Sequence, residues 1–311
     1  MSIEPSINWR LARRKANLQA RAVILQAIRT FFTNEGYLEV DTPLLIPAPA
    51  PETHIDAIPA GPWYLHTSPE LCMKRLLAAG YERIFQLCHC WRAEERGTRH
   101  LPEFTMLEWY RSEADYRDLM RECEALVRSV AKAAGQCTTI RYRDRVVDLT
   151  GEWERLTVRE AFKRYTGTTM EEALINDSFD LLMVEAIEPN LGQGRPSFLC
   201  DYPAERSALA RLSPADPTVA ERFELYIGGL ELANAFSELT DPVEQRQRFE
   251  SEAADRASRQ RTVYPLPEPF LNELSSMPPA AGIALGVDRL VMVLLDAAAI
   301  DDVVSFTPED L

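Results

Sequence analysis

"RAEERGTRHLPEFTMLEWYR", residues 92–111, joins a charged loop to a strand-like run whose apolar row contains a glutamate. Read with a period of two, Phe104, Met106, Glu108 and Tyr110 share one face of that strand. If this face is buried, Glu108 is buried with it, and a buried carboxylate is costly unless it is paired or hydrogen-bonded. We therefore expect a cation at Glu108, supplied either by the chain or by a ligand.

The composition is that of an ordinary globular protein, with 311 residues, 46% of them hydrophobic, and a formal net charge of -14. This charge does not favour broad electrostatic binding to nucleic acid, although it leaves room for a local basic patch. The longest apolar stretch is interrupted by Asp296 and is too short to span a bilayer, and the N-terminus lacks the apolar core of a secretory signal. We expect a cytoplasmic protein without membrane contact.

The six cysteines show no spacing typical of a disulfide framework. The "CHC" run at 88–90 places two thiols on one strand face, but no second pair of ligands lies nearby in the sequence. This spacing therefore favours buried, reduced thiols over a zinc site.

Around the opening stretch, the pattern predicts a helix over 8–34, with Leu18, Ala22, Leu25, Ile28 and Phe32 on its apolar face. A second helix is expected from Ser68 as N-cap to Gly80, and strands over 83–92 and 104–111 are expected to pair. Further helices are predicted over 115–134, 157–165, 178–187 and 242–261. The last motif reads as a strand, a glycine turn and a helix.

The run "RFELYIGGLELAN", residues 222–234, predicts a hairpin that turns at Gly228-Gly229. In that register Tyr226 faces Glu231, and Glu224 lies diagonally from Glu231 on the same face. Two convergent glutamates suit a magnesium ion, whereas a solvated hairpin face explains the same pattern without one.

Other polar residues allow two interpretations at this point. Asn234 and Glu238, four residues apart, share a face and belong either to a site or to the polar side of an amphipathic element. Arg289, in the first turn of the last helix, is explained either by an outward anion or by a local salt bridge. The loop around Gly97, with Arg92, Arg96, Arg99 and His100, grips phosphate oxygens or is simply solvated.

Taken together, these segments resemble the catalytic core of class II aminoacyl-tRNA synthetases of the lysyl type. "GYLEVDTPLL" resembles motif 1 near 36–45, the hairpin over 83–111 resembles motif 2, and "GIALGVDRLVM" resembles motif 3 near 282–296. The resemblance covers nearly the whole chain. It implies an α+β fold with an antiparallel sheet flanked by helices, as a single catalytic domain over 1–311 without an anticodon-binding domain.

The resemblance also implies a role for each matching residue. For ATP, it implies contacts from Arg92, Glu94, His100, Phe104, Glu231 and Arg289, with Arg92 and Arg289 as the catalytic arginines. For the amino-acid substrate, it implies contacts from Ser68, Glu70, Glu108, Tyr110, Asn234, Glu238 and Ala284. For Mg²⁺, it implies ligation by Glu224 and Glu231.

Ser68 and Ala284 depart from the lysyl-tRNA synthetase pattern, in which alanine and glycine are usual. Both residues are similar to one paralogous branch, whose members attach (R)-β-lysine to a lysine side chain of elongation factor P. This branch implies an AMP-forming ligase that uses ATP and Mg²⁺, takes elongation factor P rather than tRNA as its partner, and forms a homodimer. Two alternatives stay open: a truncated synthetase-like enzyme that activates α-lysine, and a non-catalytic amino-acid sensor.

Overall fold

The computed structural model describes residues 9–207 and 209–311, without the side chain of Arg10. The predicted start of the first helix at residue 8 lies outside these ranges. The α-helices of the described ranges are α1 (Trp9–Arg13), α2 (Lys15–Asn34), α3 (Glu70–Ala78), α4 (Tyr116–Ala133), α5 (Val158–Tyr165), α6 (Met170–Ile175), α7 (Phe179–Leu182), α8 (Pro242–Ser258), α9 (Glu268–Glu273) and α10 (Val287–Leu294).

The strands of the same ranges are β1 (Leu38–Glu39), β2 (Leu45–Ile46), β3 (Pro59–Ala60), β4 (Trp63–Leu65), β5 (Arg83–Trp91), β6 (Glu103–Ser112), β7 (Thr139–Tyr142), β8 (Arg145–Asp148), β9 (Glu154–Thr157), β10 (Ser197–Pro203), β11 (Val219–Ile227), β12 (Leu230–Ser237) and β13 (Ala280–Gly286). The main sheet has the order β1-β5-β6-β13-β12-β11-β10-β9. Its six central strands pair antiparallel, and the outermost pairs, β1 with β5 and β9 with β10, are parallel. The expected α+β fold, an antiparallel sheet flanked by helices, is confirmed.

Helices pack on both faces of the sheet, but they cover one face more completely than the other. One face carries Phe85, Leu107, Trp109, Leu225 and Ile283, each 0–1% exposed, and packs against α2, α4 and α10. The other face is partly covered by α3, α8 and α9, whose apolar residues form a second cluster. Polar residues in the central strands therefore stand on the face that α3 only partly covers.

The helices form where caps and apolar periodicity agree. Asp115 accepts the backbone N–H groups of Arg117 and Asp118 and closes a capping box at the start of α4. The predicted first helix is broken at Arg14, and its buried row is Ile24, Ile28 and Phe32, whereas Ala22 is exposed. The buried face of the helix is therefore rotated from the predicted face, and Ile28 and Phe32 belong to both.

Helix α3 begins at Glu70, with Pro69 at the cap, one residue later than predicted. The Ser68 hydroxyl still accepts the backbone N–H of Glu70, at 3.0 Å. Gly80 follows the helix in the left-handed region, with φ at +94°. No helix of the described part of the chain is both long and apolar enough to cross a membrane.

Candidate active site

A single row of directly opposed residues crosses the centre of the sheet and carries four of the predicted site residues. Glu108 on β6 lies opposite Ala284 on β13, which lies opposite Asn234 on β12, which lies opposite Glu224 on β11. Because directly opposed residues of antiparallel strands point to the same face, these side chains line one surface. The strand pairing therefore assembles the candidate site from four segments distant in sequence.

A neighbouring row contains Tyr110, Gly282, Phe236 and Arg222 in the same strand order. A Cβ atom built on Gly282 would collide with the ring of Tyr110 and with Oε1 of Glu238. The absence of a side chain at this position allows the tyrosine and the glutamate to approach the sheet.

Glu108 is buried, at 1% exposure, and is held by hydroxyl groups. Ser68 Oγ donates to Oε1 at 2.6 Å, and Tyr110 Oη donates to Oε2 at 2.7 Å. The pKa of Glu108 is raised to about 8, mainly by burial and to a smaller extent by the negative charge of Glu70. Among the described residues, no lysine or arginine forms an ion pair with Glu108, so the cation that its burial calls for is not supplied by this part of the chain.

A lysine that the sequence analysis did not single out lies between two other predicted site residues, Glu70 and Glu238. Lys74 is 1% exposed, and its Nζ lies 2.6 Å from Glu70 Oε1 and 2.5 Å from Glu238 Oε2. Burial alone would lower the pKa of Lys74, but its two carboxylate partners, Glu238 and Glu70, outweigh burial and raise that pKa. The i,i+4 spacing of Glu70 and Lys74 on α3 was the available sequence signal. A substrate ammonium at Glu238 would share this carboxylate with Lys74.

Arg92 lies at the mouth of the same pocket. Its guanidinium carbon is 5.2 Å from the centroid of the Phe104 ring, and its Nε is buried without a hydrogen-bond partner among the described residues. An unpaired guanidinium donor fits a carboxylate or phosphate ligand. Glu52, from the proline-rich loop after β2, also lines this pocket, and burial raises its pKa to about 7 although Arg92 opposes the shift.

The basic residues of the charged loop after β5 have two kinds of partner: some bind other parts of the fold, and others lie at the candidate site. Arg96 is bound by Asp301 and Glu309, both at 2.9 Å, and therefore ties the loop to the C-terminal segment. His100 Nε2 instead lies 2.5 Å from Nη2 of Arg289. Burial, together with the charge of Arg289, lowers the pKa of His100, so its neutral ring accepts this hydrogen bond. Glu94 is exposed, with its backbone in the left-handed region at φ 65°.

Arg289 connects this loop to the acidic hairpin. Its Nη1 donates to the backbone oxygen of Glu231 at 3.0 Å and to Oε2 of Glu231 at 3.1 Å. The local salt bridge that the sequence analysis left open is therefore present.

The hairpin contains an irregularity that brings its polar residues together. Tyr226 pairs with Glu231 as predicted, but the pairing then shifts, so Glu224 lies opposite Asn234 rather than diagonal to Glu231. Leu232 is the extra residue, and both Leu232 and Ala233 pack into the core. A bulge of this kind turns Glu231 and Asn234, three residues apart, to the same face, which a regular strand would not do.

Three carboxylates gather at this end of the row. Burial and the charges of Glu224 and Glu231 raise the pKa of Glu188 to about 7, and burial also raises the pKa of Glu224. Glu224 Oε2 accepts from Tyr202 at 2.6 Å and from Tyr226 at 2.7 Å, while Oε1 accepts only from Arg222, at 2.7 Å.

Glu224 Oε1 and the Oε1 atom of the partly exposed Glu231 thus keep acceptor capacity, and this oxygen donor set fits a hard cation such as Mg²⁺. Glu188 begins a short 3-10 helix (Glu188–Asn190) and precedes a proline, and no periodicity in the sequence pointed to it.

Comparison with known proteins supplies a family. The family described as tRNA synthetases class II (D, K and N) matches residues 4–310. An elongation factor P–(R)-beta-lysine ligase of Erwinia tasmaniensis is 42% identical over 318 residues, which cover 96% of this chain and 97% of that protein. A ligase of the same name from Pectobacterium carotovorum subsp. carotovorum is 42% identical over 322 residues, or 97% and 98% of the two chains. A lysine–tRNA ligase of Moorella thermoacetica is 41% identical over 318 residues, which cover 92% of this chain and 64% of that protein.

Proposed function

The chain belongs to the class II tRNA synthetases of the D, K and N type, and we propose that it is an ATP-dependent ligase acting on elongation factor P. It activates (R)-β-lysine as an aminoacyl-adenylate and transfers it to the ε-amino group of a lysine on elongation factor P. The names of its relatives, elongation factor P–(R)-beta-lysine ligases, support the substrate and the acceptor protein.

The observation that carries this proposal is the environment of Glu108. Among the described residues, Glu108 is held by the hydroxyls of Ser68 and Tyr110 and has no cation beside it, and a substrate ammonium would supply that cation. Glu70 lines the same pocket, and Lys74, which it shares with Glu238, neutralises only part of the charge of these two glutamates. The pocket thus suits a diamino acid, whose two ammonium groups require more than one carboxylate.

Activation is proposed to proceed between the two arginines. The unpaired Nε of Arg92 faces the pocket and holds the substrate carboxylate against the α-phosphate. A carboxylate oxygen attacks the α-phosphorus, the bond from that phosphorus to the bridging oxygen breaks, and pyrophosphate leaves. Arg289, whose orientation His100 and Glu231 restrain, neutralises charge on the outer phosphates. In this arrangement, positioning and charge neutralisation carry the step.

The hairpin residues and the charged loop complete the nucleotide site. Glu224 and Glu231 would hold Mg²⁺, which when bound supplies charge neutralisation at the phosphates. Phe104, beside Arg92, offers a ring on which the adenine stacks, and the exposed Glu94 reads the adenine edge. In the second step, the neutral acceptor amine attacks the activated carbonyl carbon and a C–N bond forms. The bond from this carbon to the oxygen on the α-phosphorus breaks, AMP leaves with that oxygen, and the nitrogen releases one proton to solvent.

Two residues at the pocket favour the β-amino substrate in this proposal. Ala284 adds a methyl group to the row between Glu108 and Asn234, and the Ser68 hydroxyl occupies one oxygen of Glu108. Moving the substrate amine by one carbon changes where its acceptor must lie. Changes of this size shift discrimination by roughly 1–3 kcal/mol, so α-lysine is expected to be a poorer substrate rather than an inert one.

The test is ATP–pyrophosphate exchange with (R)-β-lysine and L-α-lysine side by side, followed by transfer to purified elongation factor P and, separately, to tRNA. The proposal requires faster exchange with β-lysine and labelling of the protein acceptor. Preference for α-lysine with charging of tRNA would instead support a second function, which the similarity to the Moorella thermoacetica lysine–tRNA ligase favours. Absence of exchange with both amino acids would indicate a non-catalytic sensor.

We also propose that the protein is a homodimer built through the segment around β1. Leu38 in this edge strand is 51% exposed, and Leu44 and Leu45, which follow it, are 40% and 39% exposed. Exposed apolar residues grouped at a sheet edge are typical of an interface. A monomeric mass at micromolar concentration in analytical ultracentrifugation would exclude this assembly.

A further inference from the structure

A cluster of soft ligands lies beside the pocket, on the same face of the sheet as Glu108, and the proposed reaction does not use it. Cys88 and Cys90 occupy alternate positions of β5, and their buried Sγ atoms are 3.9 Å apart. His66, which follows β4, brings its Nε2 to 3.8 Å from Cys90 Sγ. One ligand atom from each of these three buried residues lies within 4.8 Å of the others.

The sequence analysis disfavoured a metal at these cysteines because it saw no further ligand nearby. The fold supplies one from a different segment, since the backbone oxygen of His66 accepts the N–H of Trp91 at 3.0 Å and so fastens the histidine beside the end of β5. A fourth soft atom is also close, because Met106 Sδ lies 3.9 Å from Cys90 Sγ.

Two of the three distances between ligand atoms are close to the edges of a metal coordination sphere. With bonds of about 2.3 Å to sulfur and about 2.0 Å to nitrogen, a tetrahedral ion places two sulfurs ~3.8 Å apart and a sulfur and a nitrogen ~3.5 Å apart. The observed distances are 3.9 and 3.8 Å. A disulfide is less suited to this site, because alternate residues of a strand are almost 7 Å apart at Cα, near the upper limit for that bond.

The histidine would exchange one contact to bind a metal. Its Nε2 lies 2.7 Å from the backbone oxygen of His89 and 3.8 Å from Cys90 Sγ, and its Nδ1 is buried without a hydrogen-bond partner among the described residues. A buried ring nitrogen without a partner is costly.

We propose that His66, Cys88 and Cys90 form a binding site for one thiophilic metal ion of the Zn²⁺ or Cu⁺ type. Two thiolates and an imidazole are the ligands that such ions prefer, and Met106 is a fourth donor suited to Cu⁺. Binding releases the two thiol protons to solvent, so affinity rises with pH. Because Phe104 and Ala284 pack against the cluster that contains both cysteines, the ion would lie beside residues proposed to contact ATP and substrate. The site itself does not depend on the proposed function.

The first experiment is a titration of the reduced, full-length protein with Co²⁺, followed by displacement with Zn²⁺, and a parallel titration with Cu⁺ under anaerobic conditions. We expect one equivalent of Co²⁺ to bind with a thiolate-to-metal absorption band in the near ultraviolet. Cys88→Ser, Cys90→Ser and His66→Gln should each weaken binding at least about tenfold. Cys200→Ser is the matched control, because Cys200 is an equally buried thiol on β10 and should leave binding unchanged.

X-ray absorption of the wild-type protein loaded with Zn²⁺ or Cu⁺ tests the ligand set without relying on the folding of a variant. The proposal requires two sulfurs at about 2.3 Å and one nitrogen at about 2.0 Å. It is overturned by coordination through oxygen and nitrogen alone, by a band that persists in the Cys88→Ser and Cys90→Ser variants, or by failure of all three ions to bind at stoichiometric concentration.

Discussion

Replacing Glu108 with glutamine should make the ligand-free protein more stable and less active. In the folded protein, burial raises the pKa of Glu108 from 4.5 to about 8. The unfolded chain therefore loses this proton at lower pH than the folded chain does. The contribution of Glu108 to the free energy of unfolding is therefore greatest below pH 4.5, and it falls as the pH rises toward 8.

The size of this loss follows from the shift. At about 1.4 kcal/mol per pKa unit, Glu108 lowers the free energy of unfolding by ~4 kcal/mol between pH 5 and pH 9. Glu108→Gln keeps an acceptor oxygen for one of the two hydroxyl groups and removes the titration. Other carboxyls with a raised pKa, such as Glu52 and Glu188, are present in both proteins, and their contributions cancel in the difference.

The assay is urea unfolding of ligand-free wild type and Glu108→Gln at several pH values from 5 to 9. The wild-type free energy of unfolding should fall relative to that of the variant by about 3–4 kcal/mol across this range. Glu185→Gln, the same substitution at an exposed position, should run parallel to wild type. Parallel profiles for wild type and Glu108→Gln would show that Glu108 does not titrate with a raised pKa, and the reasoning from its burial would fail.

The same variant has a kinetic consequence that distinguishes a substrate contact from a structural role. A hydrogen bond to a charged group contributes about 1.5–3 kcal/mol, so kcat/KM for (R)-β-lysine in pyrophosphate exchange should fall at least about tenfold. The KM for ATP should change little. Unchanged kcat/KM for the amino acid would remove Glu108 from the proposed ammonium contact.

Three further substitutions test other contacts of the site. Lys74→Met leaves the buried Glu238 and the partly buried Glu70 without their cation. Urea unfolding should therefore show a loss of about 3–5 kcal/mol, and full stability would contradict these ion pairs. Gly282→Ala forces a methyl group against Tyr110 and should lower kcat/KM for the amino acid at least about tenfold, whereas Gly286→Ala on the same strand meets only ordinary contacts and should be tolerated. Arg289→Lys keeps the charge but loses the planar guanidinium group that contacts both Glu231 and His100. The KM for ATP in pyrophosphate exchange should therefore rise at least about tenfold, and an unchanged KM would exclude the phosphate contact.

The elements with strong local signals could be predicted from the sequence. The hairpin at Gly228-Gly229, the capped helix α4 and the pairing of β5 with β6 follow from turn residues, caps and alternation, which act between neighbours in the chain. The burial of Glu108 could be predicted for the same reason, because its place in the apolar row of β6 decides its face.

Contacts that depend on tertiary structure could not be predicted in this way. The shift in β12 has no marker in its composition, yet it changes which residue faces Glu224. His66 approaches Cys90 only because the loop after β4 is bound to the end of β5, and Glu52 reaches the pocket from a proline-rich loop without periodicity. The partners of Lys74 combine a local spacing to Glu70 with a distant contact to Glu238, of which only the first was visible in the sequence.

The extra residue in β12 has a consequence for how this chain tolerates change in length. Removing Leu232 would leave Glu231 and Asn234 two residues apart, so a regular strand would still turn both side chains to the pocket face without a bulge. Removing or adding one residue between Asn234 and Ser237, where the pairing is regular, would instead turn part of the row toward the core. We therefore expect this strand to tolerate the loss of Leu232 but not a change of length between Asn234 and Ser237.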